Sequence, residues 1–303
     1  MNFKSKIYIL AFAILSVIIA ACNSTTTGPT TDNRTPLAVT NLKATSLDSA
    51  TIKIKWDAPA SQTDSMFAGY IVKRTGDDNS VHTDTINALK NPYTITGLKQ
   101  GVIYTFNVLT LFKNGNASGA SISWSPSYRF VNNINDQPIW IYETASKLGS
   151  GLQLYDIAGG NAPHTLSIAN CADWNFALDT RNSAILIGSP TKITYNYTTG
   201  TPGITEISDK TFDEISLDDV YDSESLDKGT FNEMTIDLTT KTITNNLIII
   251  VRVKESNNYN YAKILIKKTA NGWLQTAPNG DKYLECVVSY QVKQNVPYAK
   301  RSF

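Results

Sequence analysis

Short runs of alternating apolar and polar residues occupy most of the chain after residue 36. In "ATIKIKWD" at 50–57, Ile52, Ile54 and Trp56 alternate with polar residues, which is the period of a strand with one buried face. Strands this short, separated by turn residues, predict an antiparallel β-sandwich. Further runs of this kind lie at 69–74, 81–86, 93–98, 102–112 and 121–127.

The C-terminal half has the same character but longer apolar runs. "LIIIVRV" at 247–253, "YAKILIKK" at 261–268 and "YLECVVSYQV" at 283–292 have the β-branched and aromatic content of strands. Asn271-Gly272 is a strong signal for a tight hairpin. No long stretch of helical period follows residue 21. We therefore predict an all-β fold, with an N-terminal sandwich and a second, mostly antiparallel β domain.

The N-terminus carries a different pattern. Lys4 and Lys6 precede an apolar run at 7–21, which is shorter than the ~20 residues that a membrane-spanning helix needs. A charged start followed by a short apolar run is typical of an export signal. We predict a signal peptide over residues 1–21.

The residues that end this run, "IAAC" at 19–22, resemble the lipobox of bacterial lipoproteins. In that family the chain is cut before the cysteine, and the cysteine carries acyl chains such as palmitate. The resemblance implies a lipid anchor on Cys22, and two or more acyl chains hold a protein stably on a membrane. The alternative is an ordinary secretory signal in which Cys22 is incidental.

The polar tract at 22–34 is too poor in apolar residues to fold and is predicted to be a flexible tether. Asn23 stands where lipoproteins of the inner membrane carry Asp. This favours the bacterial outer membrane as the location. Whether the protein faces the periplasm or the medium stays open.

The first β domain, over 35–127, contains Pro36, Leu42, Trp56, Tyr70 and "GLKQGVIYTFNV" at 97–108. With these residues it resembles a fibronectin type III module. Such modules serve as spacers, adhesion units and docking surfaces, and we interpret this one as a spacer. The resemblance also implies that Tyr104 forms a tyrosine corner, with its hydroxyl bonded to nearby backbone.

A linker at 128–138 is followed by the second domain, over 139–303. It contains the segments "DWNFALDTRN" at 173–182, "TFDEISLDDVYDSESLD" at 211–227 and "IIIVRVKESNNYNYAKILIKK" at 248–268. With these segments it resembles the HmuY-like haem-binding lipoproteins. The resemblance implies a ligand-binding domain with haem or another flat apolar molecule as its ligand, and an outer-membrane receptor as a partner.

Haem-binding members of that family hold the iron between two side chains, often two histidines. The second domain has a single histidine, His164, and a single methionine, Met234, so the resemblance implies a mixed His164–Met234 pair. His82 is the other histidine of the chain and lies in the first domain. The alternatives are an exposed His164 in a loop and a Met234 packed in the core.

Other residue types suggest further sites. Cys171 and Cys286 either form a disulfide, since the predicted compartment is oxidising, or are two buried thiols. The acidic stretch at 206–227 lacks the spacing of a calcium loop and is interpreted as solvated. Trp140, Trp174 and Trp273 either form an aromatic platform for a sugar or a flat ligand, or belong to the core.

Composition narrows the function. The 27 basic and 26 acidic residues give no electrostatic reason to expect nucleic-acid binding. Motifs of serine hydrolases, zinc proteases and phosphate-binding loops are missing from the sequence. We therefore predict a non-enzymatic, lipid-anchored binding protein. The two candidate functions are capture of haem or another flat ligand, and adhesion or polysaccharide binding with the first domain as spacer.

Overall fold

The computed structural model describes residues 32–86, 90–193, 197, 199–222 and 230–299. The predicted signal peptide, Cys22 and most of the predicted tether lie outside these residues. Arg34–Phe303 forms one compact unit. Within the described part of the chain, no helix has the length and apolar character of a membrane span.

The N-terminal part is a sandwich of seven antiparallel strands. One sheet has the order β1-β2-β5 and the other has the order β4-β3-β6-β7. A short 3-10 helix, Ala60–Thr63, connects β2 to β3. The strands are β1 (Thr40–Asp48), β2 (Thr51–Asp57), β3 (Phe67–Gly76), β4 (Val81–Ile86), β5 (Tyr93–Ile95), β6 (Tyr104–Phe112) and β7 (Ala117–Trp124).

The core of the sandwich follows from the alternation in its strands. Phe106 and Val108 on β6 are fully buried, and the residues between them are partly exposed. The Trp56 and Tyr70 rings pack edge to face at 5.2 Å. The Tyr104 hydroxyl accepts a 2.9 Å hydrogen bond from the Lys99 backbone N–H, which is the bond that a tyrosine corner makes.

The C-terminal part contains two further antiparallel sheets. The smaller sheet has the order β11-β10-β12-β13-β16, and the larger has the order β15-β14-β17-β18-β20-β19, with β8 and β9 also paired to β20. The strands are β8 (Tyr128–Phe130), β9 (Ile139–Tyr142), β10 (Gly151–Asp156), β11 (Ala162–Leu166), β12 (Phe176–Asp179), β13 (Leu186–Gly188), β14 (Thr205–Glu214), β15 (Phe231–Asn232), β16 (Thr235–Asp237), β17 (Asn246–Glu255), β18 (Asn258–Ile266), β19 (Gln275–Thr276) and β20 (Lys282–Tyr290).

Only short 3-10 helices interrupt these strands in the described residues, so the predicted all-β fold class is confirmed. Strand β8 lies within the predicted linker and pairs with β20 as part of the larger sheet. The helices of the C-terminal part are Ile168–Asp173, Pro190–Lys192, Leu217–Asp219 and Leu238–Thr240.

Strand β17 contains the uninterrupted apolar run at 247–251. Ile249 and Val251 belong to the main core, with residues of both C-terminal sheets. Ile248 and Ile250 belong to a second cluster on the other face of the strand, which includes Leu217. Because both faces of β17 are buried, the strand has no polar face, and its sequence shows apolar residues in succession without alternation.

The two parts of the fold are joined by backbone pairing. Ala44 of the sandwich and Asp222 of the segment after β14 exchange two backbone hydrogen bonds, each 2.8 Å long. Beside them, Arg129 donates to the Ser46 carbonyl at 2.8 Å and forms an ion pair with Asp218 at 2.8 Å. The sandwich therefore has a fixed orientation on the larger sheet.

The end of the chain strengthens this connection. Val296 and Tyr298 lie in the apolar core of the sandwich, where the Tyr298 ring is 5.2 Å from the Trp124 ring. The Lys293 ammonium pairs with Asp77 at 2.9 Å. The N-terminal sandwich thus completes its core with residues from the far end of the sequence.

Candidate functional site

The two predicted haem ligands lie far apart. His164 is on β11, one edge strand of the smaller sheet, and Met234 directly precedes β16, the opposite edge strand. Four strand spacings of ~4.8 Å separate these edges by about 19 Å, whereas the axial ligands of one iron lie on either side of a single atom. Met234 packs against the main core. The described residues therefore do not fit the mixed pair.

The other histidine also lies elsewhere. His82 is on β4 of the sandwich, and its Nε2 lies 2.8 Å from the Asp84 carboxylate. Its side chain is about half exposed. His82 and His164 belong to different sheets, and the carboxylate beside His164 is that of Asp156, at 3.8 Å.

The predicted disulfide is not formed. Cys171 and Cys286 are both free and fully buried. Cys171 packs with Trp174, whereas Cys286 is in the main core. Burial raises the pKa of the Cys286 thiol, so the reactive thiolate is disfavoured there. Both cysteines serve as small apolar residues in separate clusters.

The described residues of the acidic stretch at 206–227 stabilise local structure. The Asp213 carboxylate accepts hydrogen bonds from the backbone N–H groups of Thr244 and Asn245, each 2.7 Å long. These bonds lower the pKa of Asp213. Residues 223–227 of the stretch are outside the described residues. Among those described, no group of three or more metal-ligating side chains comes together.

Two of the three tryptophans singled out in the sequence belong to the core. Trp174 is fully buried and donates its indole N–H to the Ser167 carbonyl at 3.2 Å. Trp273 is also buried and donates to the Leu238 carbonyl at 2.9 Å. Trp140, in contrast, is partly exposed. It is the starting point of the candidate site.

Strand β9 positions Trp140 through its alternation. In the sequence "IWIY", Ile139 and Ile141 are fully buried, so Trp140 and Tyr142 point to the opposite, outer face. Tyr142 is directly opposite Tyr283 of β20, and the Trp140 ring stacks on the Tyr283 ring with centroids 4.1 Å apart. We call Trp140, Tyr142 and Tyr283 the aromatic platform.

A groove of about 310 Å³ lies beside the platform. We call it the aromatic groove. Trp140 and Tyr142 line one side, together with Leu148 of the following turn. His164 and Thr165 of β11 line the other side, and the loop before β9 contributes the amides of Asn133, Asn135 and Gln137.

Hydrogen bonds hold the two sides of the aromatic groove in place. The Thr165 hydroxyl donates to the Trp140 carbonyl at 2.6 Å, which fixes β11 against β9. Hydrogen bonds of the Asn133 backbone and side chain hold the loop at 133–137. One of them is a 2.7 Å bond from the Asn133 N–H to the Gln137 carbonyl. The groove is therefore formed before any ligand arrives.

The groove is neutral in character. The described residues that line it include no carboxylate, and His164 is their one ionisable group apart from tyrosine. Burial, with the nearby charges of Asp281 and Tyr283, raises the pKa of Tyr142. Burial also raises the pKa of Tyr283. Both phenols therefore keep their protons at physiological pH and offer neutral hydrogen-bonding groups.

Some of this site was visible in the sequence and some was not. The sequence identifies Trp140 as a candidate. It does not identify Tyr142, although the two-residue spacing in "IWIY" is the signal that Tyr142 shares a face with Trp140. Tyr283 and the amide-bearing loop at 133–137 were missed. Their approach depends on the pairing of β9 with β20 and on the close packing of β11, which no local pattern reports.

Comparisons with known proteins identify one domain. The family model described as "Fibronectin type III domain" matches residues 37–123, and the chain contains such a domain there. A comparison with curated proteins finds no match. The family match covers the sandwich, so it assigns no function to the C-terminal sheets.

Solved structures of fibronectin type III domains are similar to this chain. The FN5 domain of Drosophila Lar is 23% identical over 30% of this chain and 96% of its own, with a TM-score of 0.25. A segment of two fibronectin type III domains from chicken tenascin is 12% identical over 76% of this chain and 90% of its own, also with a TM-score of 0.25.

Proposed function

We propose that this protein is a non-catalytic, cell-surface binding protein whose aromatic groove takes a carbohydrate. The observation that carries the proposal is the Trp140 ring, stacked on Tyr283 and lining a groove with Asn133, Asn135 and Gln137. Aromatic rings with a few well-placed neutral polar groups are typical of a small-ligand site.

The chemistry of the groove suits a sugar ring. One face of a pyranose is rich in C–H groups and packs on an aromatic ring, while its hydroxyls need partners that both donate and accept. Side-chain amides supply both functions. The fixed platform keeps the entropic cost of binding low, because few side chains must be ordered when the sugar arrives.

The other parts of the chain support a surface location. A fibronectin type III domain is typical of cell-surface and binding proteins, and it packs here against the sheets that carry the groove. A lipid anchor on Cys22, followed by the tether at 22–34, would hold this body on the bacterial outer membrane. The anchor is part of the proposal and rests on the "IAAC" motif.

Haem is the competing ligand, because His164 lines the same groove. The groove offers one nitrogen ligand, and the candidate second ligand is on the far edge of the sheet. A flat apolar ligand would also leave the amides of the 133–137 loop unused. These features favour the carbohydrate.

The proposal is tested with residues 34–303 and four pairs of probes: cellobiose and cellohexaose, chitobiose and chitohexaose, maltose and maltohexaose, mannobiose and mannohexaose. Calorimetry and tryptophan fluorescence are expected to detect binding of at least one series. Trp140→Ala should weaken it about tenfold or more, since a central aromatic anchor carries much of the binding energy. Trp140→Phe should retain part of it.

Ile215→Ala is the control, because Ile215 is 71% exposed and is not one of the lining residues. Circular dichroism confirms that each variant is folded. Binding that is unchanged in Trp140→Ala would contradict the proposal. The absence of binding in all four oligosaccharide series would contradict it too. Haemin is added separately, and a Soret shift lost in His164→Ala would favour the haem function instead.

A further inference from the structure

A second groove, of about 450 Å³, lies next to the aromatic groove. We call it the serine groove, because hydroxyl side chains dominate its polar lining. The lining residues used below are Ser146, Lys147, Ser150, Ser167 and Ile168. The carbohydrate proposal above does not assign it a role.

The same two chain segments form walls of both grooves. On one side, Tyr142 and Leu148 line the aromatic groove, and residues 144–147 and 149–150 line the serine groove. On the other side, β11 lines the aromatic groove with 164–165, and the chain continues into the serine groove with 167–169. The grooves are therefore neighbours along one strip of surface.

A close backbone approach separates them. Gly149 has a φ of +120°, and a Cβ added there would lie 2.4 Å from the Leu166 carbonyl oxygen. The Gly149 carbonyl also accepts a 2.9 Å bond from the Tyr142 N–H. The walls meet at Gly149 and Leu166, and the half-exposed Leu148 lies beside this point on the aromatic side.

The hydroxyls of the serine groove are held in fixed positions. Ser146 donates to the Asp281 carboxylate at 2.6 Å, and Ser150 donates to the Glu143 carbonyl at 3.1 Å. The Ser146 oxygen also accepts from the Leu148 backbone N–H at 3.1 Å, which leaves it one further lone pair for a hydroxyl of a ligand. Lys147 is exposed and adds a donor, and Ile168, 40% exposed, adds an apolar surface.

The separation of the grooves suits one oligomeric ligand. Thr165 and Ile168 line different grooves and are three residues apart along the chain, which corresponds to at most about 10 Å. An oligosaccharide of a few units is long enough to reach from one groove into the other. A single sugar or a disaccharide fills only one of them.

We infer that the aromatic and serine grooves are consecutive subsites for one extended polysaccharide chain, which crosses the wall at Leu148 and Gly149. This inference rests on the proposed carbohydrate function and deepens it. It predicts that affinity increases with chain length, and that residues of the serine groove carry the increase.

The experiment compares each disaccharide with its hexasaccharide in the four series named above, by calorimetry on residues 34–303. The hexasaccharide of the bound series is expected to bind about tenfold more tightly than the disaccharide. Ile168→Ala and Lys147→Ala together should reduce this gain to about threefold or less, and leave disaccharide binding unchanged. Trp140→Ala should weaken both probes, and Ile215→Ala should affect neither.

The outcomes separate the two claims. The extended site is overturned if the disaccharide binds through Trp140 but the hexasaccharide binds no more tightly. It is also overturned if the double variant keeps the full gain in affinity on lengthening. In both cases the proposed function stands. Failure of every series to bind overturns both. A Trp140-dependent gain that the double variant abolishes supports both.

Discussion

The Lys263 ammonium donates a 3.0 Å hydrogen bond to the Thr45 hydroxyl, across 218 positions of sequence. Lys263 is fully buried. It also donates to the carbonyl oxygens of Val220 at 3.1 Å and Leu217 at 3.4 Å. One side chain of the larger sheet is thus bonded to the sandwich and to the segment between them.

Folding stability should depend on pH through this lysine. Burial, together with the charge of Arg129, lowers the pKa of Lys263 from 10.5 to about 7, although Asp218 and Asp222 act in the opposite direction. Between these values the unfolded chain binds a proton that the folded chain does not bind. The free energy of unfolding should therefore rise as the pH rises from 7 toward 10.

The measurement is urea unfolding at pH 6, 7, 8 and 9 for the wild type, Lys263→Met and Lys282→Met. The rise above pH 7 should be absent in Lys263→Met and present in Lys282→Met, since Lys282 is exposed. The difference in the free energy of unfolding between wild type and variant, taken at each pH, removes the contributions of other titratable groups. Parallel pH curves for the wild type and Lys263→Met would rule out the effect.

The end of the chain should contribute strongly to stability. Tyr298 is 6% exposed and packs against Trp124 in the sandwich core, so Tyr298→Ala leaves a cavity there. Truncation of a large buried aromatic side chain costs about 3–5 kcal/mol. Denaturant unfolding is expected to show a loss of this size.

Gln294→Ala, in the exposed part of the same segment, is the matched control and should change the free energy of unfolding by less than about 0.5 kcal/mol. Fluorescence and circular dichroism should give coincident transitions, because the segment joins both parts of the fold. Two separate transitions in the wild type would show that the sandwich folds independently of the C-terminal sheets.

The fold was predictable where local patterns suffice, and the long-range contacts were not. The alternation around Trp56 and Phe106 identified strands of the sandwich, and the double burial of β17 accounts for its uniform apolar run. The Lys263–Thr45 bond gives no local signal, because lysine at that position reads as the polar residue of a strand. Only the pairing of distant segments buries it.

The candidate site also combines residues that a local pattern brings together with residues that only the pairing of distant strands brings together. Trp140 and Tyr142 share a face by simple alternation, but Tyr283 joins them only because β20 pairs with β9. The His164–Met234 pair was a hypothesis about two residue types, and the order of the smaller sheet puts them on opposite edges. Residue type identified candidates for a ligand site, while sheet topology determined which of them meet.

Gly149 should not tolerate a side chain. Its positive φ is strained for other residues, and the added Cβ of alanine would lie 2.4 Å from the Leu166 carbonyl. Gly149→Ala is expected to lower the free energy of unfolding by about 2 kcal/mol or more. Thermal and urea unfolding measure the loss.

Gly203→Ala is the control for this change, because nothing lies within 4 Å of a Cβ built at Gly203 and its φ is not in the left-handed region. Gly203→Ala should be neutral or slightly stabilising, since alanine restricts the unfolded chain. Equal stabilities of the two variants would refute the proposed close contact between the groove walls.

The cysteines should react as two free thiols, and only after unfolding. Cys171 and Cys286 are free and fully buried, and burial raises the pKa of the Cys286 thiol, which suppresses the reactive thiolate. A maleimide reagent should leave folded residues 34–303 unlabelled and add two labels in denaturant without reductant. Cys286→Ser should take up one label, and so should Cys171→Ser. If the denatured wild type takes up no label until a reductant is added, the two sulfurs form a disulfide and their assignment to separate clusters is wrong.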